Sequence, residues 1–257
     1  MKLRRKILKK LFVGALLLLL IVAAYAGVVF ATLPDVSGLK TKNPTVTALM
    51  QQRAAEQGRE AHTIRSWSSY NSISPHLRNA VLVAEDGAFF QHPGYDIDEI
   101  KEAVKKDWKE GRFARGASTI TQQLAKNLYL STSKNPLRKI NEFLIAQRLE
   151  KHLTKKRIFE IYLNVIEWGD GVYGIGPAAQ TYFGKSPGAL LPEEAAVLAA
   201  MIPSPRAYSP TKGVTPYLEK RKVELLNRLL RYRYLTQEQL DEALARPVIF
   251  AGSQIER

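Results

Sequence analysis

The sequence predicts a mainly α-helical fold. Apolar residues recur near positions i, i+3, i+7 and i+11 over 97–110, and helical patterns are also present in 118–129, 136–153, 155–168 and 191–202. No segment shows a convincing alternation of apolar and polar residues, which would indicate a strand, and no internal repeat is visible. These observations favour a helical domain over a β or α/β architecture.

The starts and ends of several helices are marked in the sequence. Ser74 and Pro75 form a favourable helix start, and the apolar spacing that follows predicts a helix ending near Glu85. Thr236 begins a Thr-x-x-Gln capping box in front of another helix. Five of the sixteen residues over 169–184 are glycine, so this segment is predicted to be a closely turning loop.

The chain of 257 residues is long enough for one domain of ordinary size and an anchor. Residues 11–34 form a run of 24 residues without a charged side chain. A helix of that length spans the roughly 30 Å hydrocarbon core of a bilayer. A cleaved signal peptide is the alternative, but its apolar region is usually about 7–15 residues long. The sequence therefore predicts an uncleaved transmembrane helix.

The basic residues in front of this run predict its orientation. Residues 1–10 contain six lysines and arginines and no acid, which places this tail in the cytoplasm and everything after the helix on the exported side. The predicted organisation is a basic tail over 1–10, a transmembrane helix over 11–34, a stalk over 35–70 and one folded domain over 71–257.

Composition narrows the classes of partner. The net charge of +14 favours anionic lipid, phosphate-bearing substrates or nucleic acid. No zinc-finger spacing or nucleic-acid module is visible, so the sequence predicts no nucleic-acid partner. The absence of cysteine excludes a disulfide framework and thiolate chemistry.

The first candidate site is the acid pair that begins at Glu85. The nearby rings of Phe89 and Phe90 would partly desolvate this carboxylate and raise its pKa toward values useful in acid–base catalysis. An ordinary surface acid is the alternative, and a histidine such as His92 is more often a structural hydrogen-bonding group than a ligand. No second histidine stands at metal-binding spacing, so no protein metal site is predicted.

The second candidate site is a run of hydroxyls, amides and one lysine that begins at Ser118. On a helix, Thr119, Gln123 and the pair Lys126 and Asn127 would share one face. Such a stripe can hold a sugar hydroxyl and a phosphate. A solvated helix face is the alternative.

A third candidate site follows in the next helical segment. Arg138 and Glu142 stand at i and i+4, close enough to form an ion pair. Alone, this is a surface salt bridge that contributes little to stability. Together with Lys126 and Lys139, it predicts a cationic cradle for a pyrophosphate.

Five blocks then occur in order along the chain: EDGAFFQHPG, RGASTITQQLAKNLYLS, RKINEFLIAQRLE, KKRIFEIYLNVIEWGDGVYGIGPAAQTYFGK and EEAAVLAAMIPSPRAYSP. They are similar to the successive motifs of peptidoglycan glycosyltransferases. These lysozyme-like transglycosylases occur alone or as the N-terminal part of bifunctional penicillin-binding proteins. The resemblance covers roughly residues 65–215. Its one visible departure is Ala117, where family members commonly have a second glycine.

The resemblance implies a lysozyme-like domain with a small, membrane-proximal jaw. It also implies polymerisation of lipid II, a disaccharide-pentapeptide on undecaprenyl pyrophosphate, onto a growing lipid-linked glycan chain. The chain's reducing end is joined to the 4-hydroxyl of the incoming N-acetylglucosamine, undecaprenyl pyrophosphate leaves, and the anomeric centre inverts. No cofactor is required, although Mg²⁺ or Mn²⁺ on the substrate pyrophosphate is compatible with the family.

The resemblance also implies roles for individual residues. Glu85 matches the general base, and Glu142 matches the second important carboxylate. The residues that match substrate-binding positions are Asp86, Phe89, His92, Ser118, Thr119, Gln123, Lys126, Asn127, Arg138 and Lys139. Whether Glu142 orients a water, a metal or an arginine is left open by the sequence.

The implied location is the cytoplasmic (inner) membrane of a bacterium, with the catalytic domain in the periplasm and other cell-wall synthesis or division proteins as partners. Residues 105–115 carry Trp108 and Phe113 among cations, a composition typical of a membrane interface. In the family this stretch lies in the jaw. A solvated basic loop is the alternative.

Three other functions compete with this prediction. A lytic transglycosylase would cleave glycan and would need no cationic group, because no phosphate leaves. A penicillin-binding transpeptidase is suggested by the Ser-x-x-Lys spacing of Ser131 and Lys134, but no Ser-Asp-Asn or Lys-Thr-Gly sequence follows. A non-enzymatic membrane scaffold would need no catalytic base at Glu85.

Overall fold

The computed structural model describes residues 2–61, 63–110, 118–132, 136–209 and 214–251. The helices are α1 (Lys2–Thr32), α2 (Ala48–Glu56), α3 (Pro75–Glu85), α4 (Ile97–Glu110), α5 (Ile120–Tyr129), α6 (Pro136–His152), α7 (Lys155–Val165), α8 (Ile175–Phe183), α9 (Pro192–Met201), α10 (Pro205–Tyr208), α11 (Pro216–Arg231) and α12 (Gln237–Ala245). Short 3₁₀ turns lie at Ser37–Lys40, Tyr70–Ser72 and Pro187–Ala189. The prediction of a mainly helical protein is confirmed.

Local sequence explains where these helices begin. Pro75 is the first residue of α3, and that helix ends at Glu85, as the sequence predicts. The Thr119 side chain caps α5 by accepting a hydrogen bond from the backbone N–H of Gln122. Thr236 forms the predicted capping box with Gln239 at the start of α12.

The glycine-rich segment is more ordered than the sequence indicates. Strands β1 (Glu167–Gly169) and β2 (Val172–Tyr173) pair as a short antiparallel hairpin, and α8 follows at once. The prediction of a loop over 169–184 is therefore wrong for most of this segment. Two of the glycines lie at the ends of α8: Gly174 has φ +83° in front of this helix, and Gly184 ends it in the left-handed conformation.

The core is built around α9, all of whose residues are buried. Helices α3 and α11 pack on α9, and α5 packs against α6 and α7. Trp168, Tyr162 and Phe89 are among the largest fully buried side chains. This packing places the C-terminal end of α3 beside α5, so it determines where Glu85 lies.

The segment that follows α1 is held on the domain by arginines. Arg148 of α6 donates hydrogen bonds to the backbone carbonyls of Leu33 and Pro34 at 3.1 and 3.3 Å. Arg157 of α7 donates to the carbonyl of Leu39 at 2.9 Å. The described part of the chain contains no helix that is long and apolar enough to cross a membrane.

Two predicted features fall largely outside the described residues. Residues 111–117, which include Phe113 and Ala117, are not described, and neither is the side chain of Trp108. The predicted membrane-contacting segment 105–115 therefore stays a prediction. Lys134 of the Ser-x-x-Lys sequence also lies outside the described part.

Candidate active site

Glu85 lies at the C-terminal end of α3 and faces a cavity of about 370 Å³. Lys126 and Gln123 of α5 line the same cavity, together with Ser118. The cavity wall is completed by the turn after α9, at Ile202 and Pro203. A carboxylate and an ammonium group that are 41 residues apart in the sequence therefore share one site.

Gln123 holds the Glu85 carboxylate in place. Its Nε2 donates a hydrogen bond to Glu85 Oε2 at 2.8 Å. Its Oε1 accepts a hydrogen bond from the hydroxyl of Tyr162 at 2.9 Å. Because the Tyr162 ring is fully buried, this chain of hydrogen bonds connects Glu85 to the core.

The environment of Glu85 suits a proton acceptor. Burial raises the pKa of the Glu85 carboxyl above its ordinary value, while the hydrogen bond from Gln123 and the charge of Lys126 act in the opposite direction. A carboxylate with a raised pKa is a stronger base than an exposed one. The Glu85 carboxylate is also oriented by its hydrogen bond from Gln123.

Lys126 stands between two cavities. Burial lowers the pKa of its ammonium group, and the charges of Arg138 and Lys139 act in the same direction, while Glu142 and Glu85 oppose them. Lys126, Gln123 and Asn127 also line a second, smaller cavity of about 180 Å³. A molecule that extends from the larger cavity past Lys126 into the smaller one would therefore meet Asn127.

Helix α6 brings two further cations to the site. The buried Glu142 carboxylate accepts a 2.7 Å hydrogen bond from Arg138 Nη1 and a second hydrogen bond from Lys139 Nζ. Lys139 Nζ also donates to Ser118 Oγ at 2.8 Å, which ties α6 to the rim of the larger cavity. The predicted i, i+4 pair of Arg138 and Glu142 is confirmed, and Glu142 orients both cations.

Some of the predicted substrate-binding residues support the site from within. Asp86 is buried, accepts the backbone N–H of Ile120 at 3.0 Å and bonds His92 Nε2 at 2.9 Å. Gly94 donates its N–H to His92 Nδ1 at 3.1 Å. An accepting Nδ1 places the proton of a neutral imidazole on Nε2, which then donates to Asp86.

Thr119 and Phe89 also face inward. The Thr119 hydroxyl donates to the carbonyl of Gly94 at 2.8 Å and is buried at the start of α5. The expectation that Thr119 shares one helix face with Gln123 and Lys126 is wrong, because Thr119 is the N-cap residue in front of α5 and its side chain folds back on that helix. Phe89 is fully buried, and Lys155 Nζ lies 4.3 Å from its ring centre.

Three residues of the site were not singled out by the sequence. Tyr162 supports Gln123, and Ile202 and Pro203 wall both cavities. Tyr162 lies in the fourth sequence block, within EIYLN, and Ile202 and Pro203 lie in the fifth, within AAMIPSP. The resemblance of these two blocks to the family motifs was the sequence signal that could have indicated the three residues. Tyr162 contacts Gln123 from another helix, and Ile202 and Pro203 line the cavities together with residues of α5, so no local sequence pattern indicates these three residues.

Comparison with known proteins places this site in a family. The family model described as Transglycosylase matches residues 51–230. The chain belongs to the Transglycosylase family. It is therefore a glycosyltransferase enzyme, and the cavity between Glu85 and Lys126 lies within the matched region.

Similar transglycosylases cover most of the chain. A protein of Nitrosospira multiformis is 47% identical over 190 residues, covering 73% of this chain and 82% of the relative. A protein of Janthinobacterium sp. is 40% identical over 232 residues, covering 89% of this chain and 97% of the relative. Both are named biosynthetic peptidoglycan transglycosylase.

A solved structure also matches part of the chain. Penicillin-binding protein 1A from Haemophilus influenzae is 30% identical, and the match covers 51% of this chain and 16% of that protein. The TM-score is 0.35, so the family assignment of this transglycosylase rests on the sequence matches.

Proposed function

We propose that this transglycosylase is a peptidoglycan glycosyltransferase that polymerises lipid II into glycan strands and releases undecaprenyl pyrophosphate. One observation carries the proposal: a partly desolvated carboxylate, Glu85, and a half-buried cation, Lys126, line one cavity. A glycosyl transfer with a pyrophosphate leaving group needs a base at the acceptor and positive charge at the leaving group, and this cavity supplies both.

The proposed base is Glu85. Its carboxylate accepts the proton of the acceptor's 4-hydroxyl while that oxygen forms a bond to the donor's anomeric carbon. The bond from the anomeric carbon to the pyrophosphate oxygen breaks at the same centre. Attack from the face opposite the leaving group inverts the configuration. Gln123 keeps the carboxylate aimed at the acceptor.

The proposed leaving-group site is the cationic group of Lys126, Arg138 and Lys139. Negative charge builds on the pyrophosphate as the bond breaks, and fixed cations stabilise that charge more than they stabilise the ground state. Glu142 holds Arg138 and Lys139 in position without facing the substrate itself, because its carboxylate is buried. This assigns Glu142 as a positioning residue.

A divalent cation enters the proposal with the substrate. Mg²⁺ or Mn²⁺ bound to the pyrophosphate oxygens would add to the positive charge that the three side chains provide. The protein would then select the substrate–metal complex through the pyrophosphate.

Attachment to the membrane is the second part of the proposal. Lipid II stays in the bilayer, so the enzyme has to work at the headgroup plane. The uncharged run over 11–34 and the basic tail over 1–10 support a single-pass anchor in the inner membrane, with the N-terminus inside and the catalytic domain in the periplasm. A lysozyme-like domain with a membrane-proximal jaw, and partners among other cell-wall synthesis or division proteins, belong to the same proposal.

Polymerisation of labelled lipid II by the purified full-length protein tests the function. We expect long glycan products from the wild type and a loss of about 10²–10⁴-fold in Glu85→Gln, since that is the usual contribution of an acid–base group. Glu238→Gln, at an exposed acid on α12, is the matched control. Full activity of Glu85→Gln would contradict the proposal, as would cleavage of purified sacculi without polymerisation. Covalent labelling by penicillin would indicate a second, transpeptidase activity and would contradict the proposal that glycosyl transfer is the activity of this protein.

The leaving-group assignment has its own test. Lys126→Ala and Arg138→Ala should weaken the use of the donor more than the use of the acceptor, because only the donor carries the departing pyrophosphate. Separate titrations of the two substrates measure this difference. Equal losses for both substrates would contradict the assignment.

A further inference from the structure

One flank of α11 carries a row of polar and aromatic side chains beside the active site. Tyr217, Arg221, Glu224, Arg228 and Tyr232 stand at i, i+4, i+7, i+11 and i+15, so they share one side of the helix. At 1.5 Å per residue, this row is about 22 Å long. We call it the α11 track.

Each end of the track is a pair of parallel tyrosine rings. Tyr217 stacks on Tyr208 with ring centres 4.4 Å apart, and Tyr232 lies parallel to Tyr234 with centres 6.4 Å apart. Tyr217, Tyr232 and Tyr234 are 41%, 51% and 42% exposed. Exposed aromatic rings in one row indicate a contact surface, because each leaves a flat apolar face in water.

The backbone between the second pair is strained. Arg233 has φ +62°, and among the described residues it is the one non-glycine with a positive φ. Hydrogen bonds from Arg233 N–H to Leu230 and from Tyr234 N–H to Leu229 close the end of α11 around it. Glycine would adopt this conformation without steric cost, so strain at an arginine points to a use for the side chains here.

The track runs beside the catalytic carboxylate. The hydroxyl of Tyr232 lies 3.4 Å from the position that a Cβ on Gly87 would occupy, and Gly87 follows Glu85 by two residues. Near the other end of the track, the charge of Arg221 is close enough to act on Glu85. A chain molecule that extends from Glu85 past Gly87 meets the track at Tyr232.

We propose that the α11 track binds the glycan strand outside the catalytic cavity. The identity of that strand, N-acetylated sugars bearing acidic peptides, rests on the proposed function. The tyrosine pairs at the two ends of the track cover the apolar faces of pyranose rings that are several sugars apart in the strand. Arg228, together with Arg221 and its 2.9 Å ion-pair partner Glu224, offers donors and acceptors to sugar hydroxyls and peptide carboxylates.

A lipid surface fits the track less well. The exposed large side chains on this flank are tyrosines, and the pairs are separated by charged residues, including the acid Glu224. The exposed aliphatic side chains outside α1 include Ile97, Ile100 and Ile140, which lie on α4 and α6 instead. A bilayer contact needs such apolar groups to enter the membrane.

Binding of a soluble N-acetylglucosamine hexamer by full-length protein in detergent micelles tests the track without requiring turnover. We expect the double variant Tyr232→Ala, Tyr234→Ala to bind about tenfold more weakly, since it loses the apolar faces that cover the sugar. Tyr232→Phe keeps the ring and should bind like the wild type. Glu219→Gln is the control, because Glu219 is exposed and lies half a turn around α11 from the track. Tyr217→Ala tests the other end if the double variant does not fold.

Product length is the second readout. With labelled lipid II, the double variant should make shorter strands than the wild type and the Glu219→Gln control. The proposal that the track binds glycan would be refuted if the double variant kept the hexamer affinity and the strand length of the wild type. It would also be refuted if the double variant lost only the binding of anionic lipid vesicles. Hexamer binding that depends on the track in a protein that does not polymerise lipid II would support the track and reject the proposed function. Polymerisation of lipid II by a protein that does not bind the hexamer would support the proposed function and reject the track as a glycan-binding site.

Discussion

Gln123 is predicted to control the basicity of Glu85. It is the residue whose Nε2 donates to Glu85 Oε2 at 2.8 Å, and its own orientation is held by the buried hydroxyl of Tyr162. Methionine at this position keeps most of the side-chain volume and removes both hydrogen bonds. Gln123→Met therefore leaves the carboxylate desolvated without the group that stabilises its ionised form.

The magnitude follows from the lost hydrogen bond. A hydrogen bond to a charged group contributes about 1.5–3 kcal/mol. Gln123 already lowers the pKa of Glu85 against the effect of burial, so its removal shifts that pKa further upward. Where Glu85 is largely protonated in the variant, the rate should fall by about 10- to 150-fold. The deficit should shrink as the pH rises, because the base is then ionised in both proteins.

Initial rates of lipid II polymerisation from pH 5 to 9 measure this effect. Gln237→Met, on α12 and remote from the cavity, controls for the substitution itself. Tyr162→Phe should show a smaller shift in the same direction, since it loosens Gln123 without removing the hydrogen bond to Glu85. An equal loss for Gln123→Met at every pH would refute the reasoning, because it would indicate misfolding or lost substrate binding rather than a change in the base.

Three further predictions concern stability and local order. Because burial raises the pKa of Glu85 above its ordinary value of 4.5, the contribution of Glu85 to stability is present below that pH and is lost as the pH rises through the folded-state pKa. Glu85→Gln should therefore raise the melting temperature at pH 8 more than at pH 4, and equal shifts would contradict this. Gly174→Ala should lower the free energy of unfolding by at least about 1–2 kcal/mol, as denaturant titration will measure. Its Cβ would lie 2.6 Å from the carbonyl oxygen of Asn164 at φ +83°. Arg148→Ala should speed hydrogen exchange of the backbone after Leu33 by about tenfold or more, whereas Lys151→Ala, on the same helix, should leave it unchanged.

Most of the helices could be predicted from the sequence. The apolar spacing over 97–110 and the starts at Pro75 and Thr236 depend on residues within a few positions of one another, and the structure agrees with them. The hairpin and α8 were missed, because five glycines in 169–184 are typical of a loop, whereas the structure places Gly169 in β1 and Gly176 in α8.

Only part of the geometry of the candidate site could be predicted from the sequence. The pair of Arg138 and Glu142 follows from helical spacing and is present. The prediction that Thr119 stands on the helix face of Gln123 was wrong, since Thr119 is the N-cap of α5 and its hydroxyl bonds the carbonyl of Gly94. The supporting role of Tyr162 could not be predicted, because it depends on how α7 packs on α5.

The sequence by itself determined the helices, the acid at the end of α3 and the run of cations, because these features depend on neighbouring residues. The tertiary structure decided that Glu85 and Lys126 line one cavity, that Gln123 joins the carboxylate to the core, and that α11 lies beside the site. Those relations depend on contacts between residues far apart in the chain. Such contacts form only when the helices pack around α9, so no local pattern encodes them.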